Sequence, residues 1–518
     1  MSDSLLESYE AVPYESRPIP FAEPDSIAAN AMLYGVTPPP PDRCRVLELG
    51  CASGGNLISM AYALPKSQFV GIDLAPTQIA AGQFAISEMG LQNIVLAAKS
   101  IDALDADLGQ FDYIICHGVY SWVPPHVQDA ILRVCATHLS PTGIAYVSYN
   151  TYPGWHRREM LRNMLVFHDD QELTPAGRVA RAREFLAFLQ TADSENNSLH
   201  SIALRDEIEQ LRTQTDHHLF HEQLEPFNQP FYFTEFATRA AAYGLRYLAE
   251  ATPTAHSAAG NSVEATPDLA TDPIRTEQYI DFVIGRTFRR TLLCRKGIEV
   301  ASSPLADSIS RVFARSQATP VAPAEADAAR GPGVEAFRTP NSVTMTTNNP
   351  LVIAALHVLG AEAPRVVSFA DLQRLVGERL ATSPDESTHR LADDGAALTE
   401  ALLYCATGAL VEFRALPSKF VAQAGNRPKA SALARWQSLY FESVTALAHW
   451  SLQISGMERF ILRHLDGAND RSQLVRLTER AFTTGDLQMD GVKPTREQLA
   501  GVVDDVLFRL GHLAVLVA

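Results

Sequence analysis

The chain lacks the cysteine spacing and the long apolar runs that mark several large classes of protein. Its six cysteines (Cys44, Cys51, Cys116, Cys135, Cys294 and Cys405) are scattered along 518 residues without a Cys-x-x-Cys pair, so neither a metal site nor a disulfide framework is predicted. No run of about 18 apolar residues is present, and the first residues have neither a basic start nor an apolar centre. We therefore expect no signal peptide, no membrane partner and a cytoplasmic location.

Positive charge is also scarce. Lys and Arg number 43 against 59 Asp and Glu, which gives a formal net charge of −16. Non-specific binding of nucleic acid requires clustered cations that neutralise phosphates, so nucleic acid is not an expected partner. The absence of a Gly-x-x-x-x-Gly-Lys-Ser/Thr loop argues against a nucleoside triphosphatase. The length favours more than one domain.

A glycine-rich turn follows the first apolar segment. Arg45-Val-Leu-Glu-Leu-Gly-Cys-Ala-Ser-Gly-Gly-Asn56 is predicted as a strand that enters this turn, and Phe69-Val-Gly-Ile-Asp-Leu74 as a strand that ends at Asp73. In nucleotide-binding sheets the glycines admit the ligand close to the backbone, and the distal acid accepts hydrogen bonds from both ribose hydroxyls. A nucleotide-type site is therefore predicted. The alternative is a turn that only packs the first helix on its sheet.

The details of the turn favour a ligand without a pyrophosphate. Ala52 replaces the second glycine of the dinucleotide fingerprint, and an acid, Glu48, lies two residues before the first glycine, Gly50. A diphosphate favours the full glycine set.

Strands and helices alternate after residue 43. Strands are predicted at 44–49, 69–73, 94–98, 111–117 and 143–149, with helices at 54–63, 76–89 and 125–138. This alternation predicts a parallel sheet with the ligand outside the carboxyl ends of the strands. A helix, a glycine stop and a strand within 233–248, with a further strand at 289–294, are predicted to close a seven-stranded sheet as a hairpin.

The C-terminal third shows a faint duplication. Helices near 355–360 and 369–376, another helix and a strand at 409–413 recur as 460–467, 471–478, a helix and a strand at 513–517. This order is typical of a winged-helix-like unit. Because the second helix of each set has no basic stripe, protein contact or a scaffold is favoured over DNA binding.

The predicted fold class is α/β: a seven-stranded Rossmann-like sheet with a helical insertion, followed by an α+β winged-helix-like region. The predicted domains are an N-terminal cap (1–43), a ligand-binding core (44–155), a helical insertion (156–220), a region closing the sheet (221–300), a linker (301–345) and two winged-helix-like units (346–425 and 426–518).

Three segments together resemble one family. The turn Glu-Leu-Gly-Cys-Ala-Ser-Gly-Gly-Asn56, His117-Gly-Val-Tyr-Ser-Trp-Val123 and Ser148-Tyr-Asn-Thr-Tyr-Pro-Gly-Trp-His156 resemble bacterial protein-lysine methyltransferases related to those acting on rickettsial outer membrane protein B. Residues 228–293 look like the methyltransferase regulatory domain of that family. The resemblance implies a class I methyltransferase fold, S-adenosylmethionine (AdoMet) as cofactor, S-adenosylhomocysteine (AdoHcy) as product and a protein lysine as acceptor.

Two positions depart from the pattern that the resemblance implies. Ala22-Glu23 stands where a Thr-His pair is expected in the leader, and Lys99 stands where an acid is common after the third strand. Either departure is expected to weaken cofactor binding or to change which residue holds the adenine amine.

The expected cofactor contacts follow the strand ends. Gly50, Cys51 and Ala52 are expected to act through the backbone, Asp73 through the ribose, Leu74 against the adenine, and 100–102 around the base. The full set is Tyr14, Glu48, Gly50, Cys51, Ala52, Gly54, Asn56, Asp73, Leu74, Gln78, Ser100, Ile101, Asp102, His117 and Gly118.

The acceptor side is expected to be aromatic. Methyl transfer from a sulfonium needs a lone pair that is aligned with the methyl group. A lysine side chain has a solution pKa of ~10.4, so it must first lose a proton. Burial beside the positive sulfonium lowers the pKa of the lysine and favours this loss. An aromatic channel attracts an alkyl-ammonium. The candidate catalytic residues are Tyr120, Asn150, Tyr152, Trp155 and His156, and the candidate substrate-binding residues are Trp122 and Tyr149. For the aromatic residues, core packing is the alternative.

Other methyltransferase classes lack support. Cys116-His-Gly-Val-Tyr120 has neither the Asp/Asn-Pro-Pro-aromatic motif of amino-methylating DNA enzymes, nor the Pro-Cys nucleophile of cytosine-ring enzymes, nor a catechol-type carboxylate cluster. A small-molecule O- or N-methyltransferase and a non-catalytic AdoMet-sensing interaction protein stay open. The expected partners are a lysine-bearing protein substrate and, as an open option, a second copy of the chain as a homodimer.

Overall fold

Seven strands form the central sheet in the order β3-β2-β1-β4-β5-β7-β6. The computed structural model describes residues 10–12, 14, 16–104, 108–170, 173–192, 198–225, 227–251, 272–322, 333–382, 391, 394–487 and 494–517. The strands are β1 (Arg45–Leu49), β2 (Gln68–Asp73), β3 (Ile94–Ala98), β4 (Phe111–Cys116), β5 (Leu139–Asn150), β6 (Leu245–Glu250) and β7 (Phe288–Arg295). The strands β1 to β5 pair in parallel, and β7 is antiparallel to both β5 and β6. The predicted sheet and its closing hairpin are confirmed.

Helices cover both faces of this sheet. They are α1 (Pro24–Leu33), α2 (Gly55–Ala63), α3 (Pro76–Met89), α4 (Pro125–His138), α5 (Gly154–His168), α6 (Pro175–Ala192), α7 (Leu199–Arg212), α8 (Asp216–Leu219), a π-helical turn (Phe220–Leu224), α9 (Phe233–Ala242) and α10 (Pro273–Ile284). Successive side chains of a strand point to opposite faces. Accordingly, Val46 packs in the core that holds α2 and α3, whereas Leu47 packs in the core that holds α4 and α9.

The leader contains a helix that the sequence analysis did not predict. Pro24 begins α1 after an extended Glu23. This position suits proline, because the first N–H groups of a helix have no partner within the helix and the missing N–H of proline breaks no hydrogen bond. Most of α1 is buried, including Ile27 and Ala28. The leader is therefore an integral layer of the first core.

The predicted linker 301–345 is corrected by the structure. A 3-10 helix (Ala306–Arg311) leads into β8 (Phe313–Arg315), which pairs with β12 (Val367–Ser368) and β13 (Glu412–Arg414). A second small sheet consists of β9 (Thr319–Pro320), β10 (Glu335–Arg338) and β11 (Thr344–Thr347). Strands of two to four residues are too short to show the alternation of apolar and polar residues that marks a strand. The prediction of a linker therefore depended on the Ala, Pro and Gly content of the segment. Residues 323–332, most of the Pro320–Gly333 run, lie outside the described residues.

Two further cores form the C-terminal third. The first contains α11 (Pro350–Glu362), α12 (Phe369–Ala381) and α13 (Gly395–Thr407) beside the β8 sheet. The elements of the second are β14 (Lys429–Ala430), α14 (Ala432–Tyr440), β15 (Ser443–Thr445), β16 (Ser451–Gln453), α15 (Gly456–Arg463), α16 (Arg471–Thr484), α17 (Arg496–His512) and β17 (Leu516–Val517). The duplicated helices and terminal strands are thus confirmed as elements. In the part of the chain that the structure describes, no helix combines the length and apolar character needed to cross a membrane.

Candidate active site

A cleft of about 620 Å³ lies at the carboxyl ends of the parallel strands. The structure brings most of the expected ligand-binding residues together there. Those that line it are Tyr14, Glu48, Gly50, Cys51, Ala52, Asn56, Asp73, Leu74, Gln78, Ser100, Ile101, Asp102, His117, Gly118, Trp122 and Asn150. Residues that are far apart in sequence therefore share one cavity because their strands end at the same edge of the sheet.

The turn after β1 brings backbone close to the cleft. Gly50 has φ +74°, and a Cβ on it would lie 2.5 Å from Cγ2 of Val119, so only glycine fits there. The amides of Gly50 and Cys51 both donate to the carbonyl oxygen of Ile72, at 2.9 and 3.0 Å. Because these donors are already used, this side of the turn suits a ligand that presents donors better than one that presents phosphate oxygens.

Asp73 ends β2 and is held by the same turn. Its Oδ2 accepts a hydrogen bond from the amide of Ala52 at 2.8 Å, and its Oδ1 accepts one from the amide of Ala75 at 2.9 Å. Burial raises the pKa of the Asp73 carboxyl, and these backbone hydrogen bonds oppose the rise. Each oxygen keeps a second lone pair, which is what two ribose hydroxyls require.

Glu48 is buried at the base of the cleft. Its Oε1 accepts a hydrogen bond from Nδ2 of Asn56 at 2.7 Å, whereas its Oε2 is buried without a partner among the described residues. Burial raises the pKa of this carboxyl to about 8, and the hydrogen bond from Asn56 opposes the rise. Glu48 is therefore mostly protonated at neutral pH when the cleft holds no ligand.

His117 and Gly118 form the edge of the cleft after β4. Nδ1 of His117 lies 2.8 Å from the hydroxyl of Tyr146, and burial, reinforced by the charge of Arg290, lowers the pKa of His117 to about 3. The imidazole is thus neutral. The amide of Gly118 donates to Oγ of Ser148 at 2.8 Å.

Of the residues predicted for the acceptor, Trp122 and Asn150 line the cleft. The Trp122 ring meets the buried Trp155 edge to face at 6.2 Å, so Trp155 supports the wall without lining it. Nδ2 of Asn150 donates to Oδ1 of Asn228 at 3.1 Å. Since no described residue donates to the side-chain carbonyl of Asn150, that oxygen is available as a hydrogen-bond acceptor.

Several predicted site residues lie outside the cleft lining, and these expectations are corrected. Tyr120 and Tyr149 are buried in the core between α4 and α9, where the Tyr149 ring stacks on Phe236 at 4.1 Å. A Cβ on Gly54 would lie 2.8 Å from Leu96, so Gly54 serves the packing of the turn. In each case the position is explained by packing of the core, which was the alternative to a role in ligand binding.

Tyr152 and His156 form a separate cluster beyond the cleft. The Tyr152 hydroxyl donates to Oε1 of Glu159 at 2.7 Å, and its ring stacks on His156 at 4.1 Å. Nε2 of His156 lies 3.0 Å from the Tyr232 hydroxyl. The predicted catalytic role of His156 has no support in this arrangement, because His156 does not line the cleft.

The sequence analysis missed the residues that roof the cleft. They come from the leader, from α5, from the segment around the π-helical turn and from β7: Ser16, Arg17, Ile19, Arg158, His218, His221, Glu222, Thr287, Phe288 and Arg290. The leader was predicted as a cap from its apolar content, but no motif marks the others. Only the packing of distant segments brings them to the strand ends.

The leader is fastened over the cleft at both ends. Nε2 of His221 lies 2.7 Å from the carbonyl oxygen of Val12, and the Tyr14 ring packs on His221 at 5.7 Å. On the other side, the amide of Gly55 donates to Oγ of Ser16 at 2.7 Å.

Of the two departures from the family pattern, only Lys99 lines the cleft. Ala22 is fully buried in the first core, and Oε2 of Glu23 accepts a hydrogen bond from Arg414 at 2.6 Å. The Ala22-Glu23 pair therefore serves the contact between the leader and the C-terminal third.

Three family models match the chain. They are "Methyltransferase domain" at 46–143, "Predicted methyltransferase regulatory domain" at 215–295 and "PKMT, C-terminal winged helix domain" at 426–514. The uncharacterized protein RP789 of Rickettsia prowazekii is 32% identical over 489 residues, which cover 93% of this chain and 87% of that protein.

A solved structure is similar over nearly the whole chain. PKMT2 from Rickettsia typhi has a TM-score of 0.85 and 28% identity, covering 98% of this chain and 100% of that chain. The same protein in complex with AdoHcy gives a TM-score of 0.84. From the three matching models, the full-length relative and the shared fold, it follows that the chain belongs to the class I, AdoMet-dependent methyltransferases that carry a methyltransferase regulatory domain and a PKMT C-terminal winged helix domain.

Proposed function

We propose that this enzyme transfers the methyl group of AdoMet to the side-chain amine of a protein lysine. The observation that carries the proposal is the full-length likeness to PKMT2. The cleft adds chemical support because the carboxyl group of Glu222, the side-chain carbonyl of Asn150 and the indole of Trp122 all line it.

The residues of the cleft fit the cofactor. Asp73 is proposed to bind the ribose, Leu74 and the turn at 100–102 to hold the adenine, and Glu48 and His117 to face the methionine moiety. One observation supports this fit: Oε2 of Glu48 has no partner among the described residues, which suits an ammonium donor.

The space beyond the cofactor suits one extended side chain. A cofactor as large as AdoMet occupies most of a cavity of a few hundred Å³. The leader covers the space that remains. Trp122 provides an aromatic face for an alkyl-ammonium, and the Asn150 carbonyl accepts a hydrogen bond from it. A lysine can reach such a site without the surrounding protein surface entering the cleft.

Glu222 is the proposed proton acceptor. It lies in the π-helical turn and lines the cleft. Burial raises the pKa of its carboxyl to about 7, and the charges of Arg158, His221 and Arg162 oppose the rise. A carboxyl with this pKa acts as a base near neutral pH.

The chemistry then divides between the cofactor and the chain. When bound, AdoMet supplies the methyl group and leaves as AdoHcy. Glu222 takes a proton from the lysine ammonium, and the Asn150 carbonyl holds a remaining N–H so that the freed lone pair points along the displacement axis. Trp122 and the leader exclude water.

A second candidate acceptor is a carboxylate, which would be methylated to an ester. The basic side chains of Arg17, Arg158 and Arg290 at the cleft favour it, because guanidinium groups bind carboxylates in pairs of hydrogen bonds. A small anionic molecule would fit this candidate as well.

The experiment is transfer of radiolabelled methyl from AdoMet to lysine-rich proteins, followed by mild alkali and by acid hydrolysis. Methyl-lysine survives both treatments, whereas methyl esters release volatile methanol in alkali. Label that resists alkali and co-migrates with methyl-lysine supports the proposal. Alkali-labile label favours the carboxylate, and no label on any acceptor contradicts both.

Two properties of the whole protein are also proposed: a cytoplasmic location and a homodimer. Cell fractionation tests the first, and light scattering on the purified full chain tests the second. A monomer at all measured concentrations would contradict the dimer.

A further inference from the structure

The side chain of His449, in the second C-terminal unit, contacts a residue that lines the cofactor cleft. The loop between β15 and β16 reaches the start of α2, where His449 is 2% exposed. We infer that His449 is a positioning residue for the cofactor cleft, holding Asn56 so that Asn56 fixes the carboxyl of Glu48. The inference rests on the proposed placement of AdoMet at Glu48.

The hydrogen bonds define the direction of this contact. Nε2 of His449 lies 2.9 Å from Oδ1 of Asn56, and Nδ1 lies 3.2 Å from Oγ of Ser59. Because Nδ2 of Asn56 donates to Glu48, its Oδ1 can only accept. Nε2 of His449 is therefore the donor, which fixes the tautomer of the neutral ring.

Asn56 joins four segments of the chain. Its Oδ1 also accepts a hydrogen bond from the amide of Ile19 at 2.8 Å, so the leader, β1, α2 and the C-terminal loop meet at one amide group. Glu48, Asn56 and Ile19 all line the cleft. Loss of the His449 bond would remove one of the two hydrogen bonds that hold Oδ1 of Asn56 and would loosen the orientation of the Glu48 carboxyl.

The loop holds His449 in an unfavourable backbone conformation. Its φ is +61°, a left-handed region that is unfavourable for a residue with a Cβ. The turn is maintained by hydrogen bonds from His449 N to Ala446 O at 3.0 Å and from Leu447 N to Ala514 O at 2.8 Å. Strain of this kind persists where the position of the side chain matters.

It follows that cofactor binding and docking of the C-terminal loop are coupled. Coupling of two binding equilibria is reciprocal, so AdoHcy is expected to slow hydrogen exchange of the loop at 446–450. Conversely, displacement of the loop by a partner would weaken cofactor binding.

The test compares two substitutions with a control from the same unit. His449→Asn tolerates the left-handed backbone but is too short to reach Asn56, whereas His449→Gln can present an amide donor at a similar distance. His464→Asn is the control, because among the described residues the hydrogen bond of the His464 ring goes to the carbonyl of Phe460, one turn back at the end of α15. The readouts are the Kd of AdoHcy by calorimetry, the Tm, and the KM and kcat of methyl transfer.

For His449→Asn we expect the Kd of AdoHcy to rise about 3- to 10-fold, with a higher KM for AdoMet and a nearly unchanged kcat. His449→Gln should restore most of the affinity, and His464→Asn should match the wild type. Equal Kd values for wild type and His449→Asn, or a His449→Gln no better than His449→Asn, would overturn the inference. Wild-type protein that binds no AdoHcy would instead overturn the proposed cofactor site itself, and the inference with it.

Discussion

At the scale of single residues, the spacing between a glycine turn and a distal acid located the cleft, but side-chain direction was beyond the sequence. Asp73 lies in the cleft as its position after β2 predicts. Tyr149 lies one position before Asn150 on the same strand, so it faces the α9 layer while Asn150 faces the cleft. Glu222 could not be predicted because the π-helical turn that carries it has no motif.

The first prediction concerns Asp73. In Asp73→Asn, one of the two backbone donors, Ala52 N or Ala75 N, would face an amide NH₂ instead of an oxygen. Together with the lost ribose contact, we expect the affinity for AdoHcy to fall about 10- to 100-fold, equivalent to ~1.5–3 kcal/mol. Calorimetry measures this. Unchanged affinity would mean that the ribose binds elsewhere.

The second prediction concerns the pH dependence set by Glu48. Its carboxyl, with a pKa of about 8, is mostly protonated in the empty cleft at pH 7, and the positive charge of AdoMet lowers that pKa on binding. Binding therefore releases a proton, and affinity rises with pH up to about 8. Calorimetry in buffers of different ionisation enthalpy detects the proton.

The control for Glu48 is Glu48→Gln, which retains an acceptor for Asn56 but cannot titrate. AdoMet binding to this variant should release no proton. Its affinity for AdoMet should vary little between about pH 6 and 8, the range in which we expect the Glu48 carboxyl of the wild type to titrate. Proton release that persists in this variant would assign the titration to another group.

The third prediction concerns Glu222. Because its carboxyl has a pKa of about 7, the wild-type kcat should rise with pH through that value as the base deprotonates. Glu222→Gln should lower kcat about 100-fold or more and abolish this inflection, with AdoHcy affinity unchanged. Glu209→Gln on the exposed surface of α7 is the matched control. A full kcat in Glu222→Gln would exclude Glu222 as the base.

At the scale of elements, alternation of strand and helix predicted the sheet, since each element is long enough to show its period. β8, β10 and β12 escaped prediction because two to four residues carry no period. The closing strand β7 is held by the buried side chain of Arg289, which bonds to Asp281, Glu250 and Glu277 at 2.8–2.9 Å. No sequence motif predicts this network.

The fourth prediction concerns this network, which joins β7 to β6 and α10. Arg289→Ala leaves the buried carboxylate of Glu250 without its counter-charge and leaves Asp281 with Arg286, so we expect the free energy of unfolding to fall by about 3–5 kcal/mol. Arg183→Ala, which breaks an exposed pair with Asp216, should cost about 0–1 kcal/mol. Urea denaturation compares them. Equal losses in both variants would contradict the role of burial.

At the scale of the whole molecule, the leader connects all parts. It roofs the cleft through Tyr14 and Ser16, and it bonds to the C-terminal third through Glu23 and Asp25. The sequence predicted that the leader packs on another part of the chain, but not that it reaches both the cleft and the C-terminal third, because most of these contacts join residues that are hundreds of positions apart. The regulatory region thus supplies β6 and β7 of the sheet as well as residues of the cleft roof, and the C-terminal third supports the cleft through the leader and His449.

The most direct test of the central claim is tandem mass spectrometry of a lysine-rich acceptor protein after incubation with the full chain and AdoMet. The account predicts methyl groups on lysine side-chain nitrogens with wild-type enzyme, and none with Asp73→Asn at low AdoMet concentration. Methyl groups confined to carboxylates, or present equally without the enzyme, would contradict it.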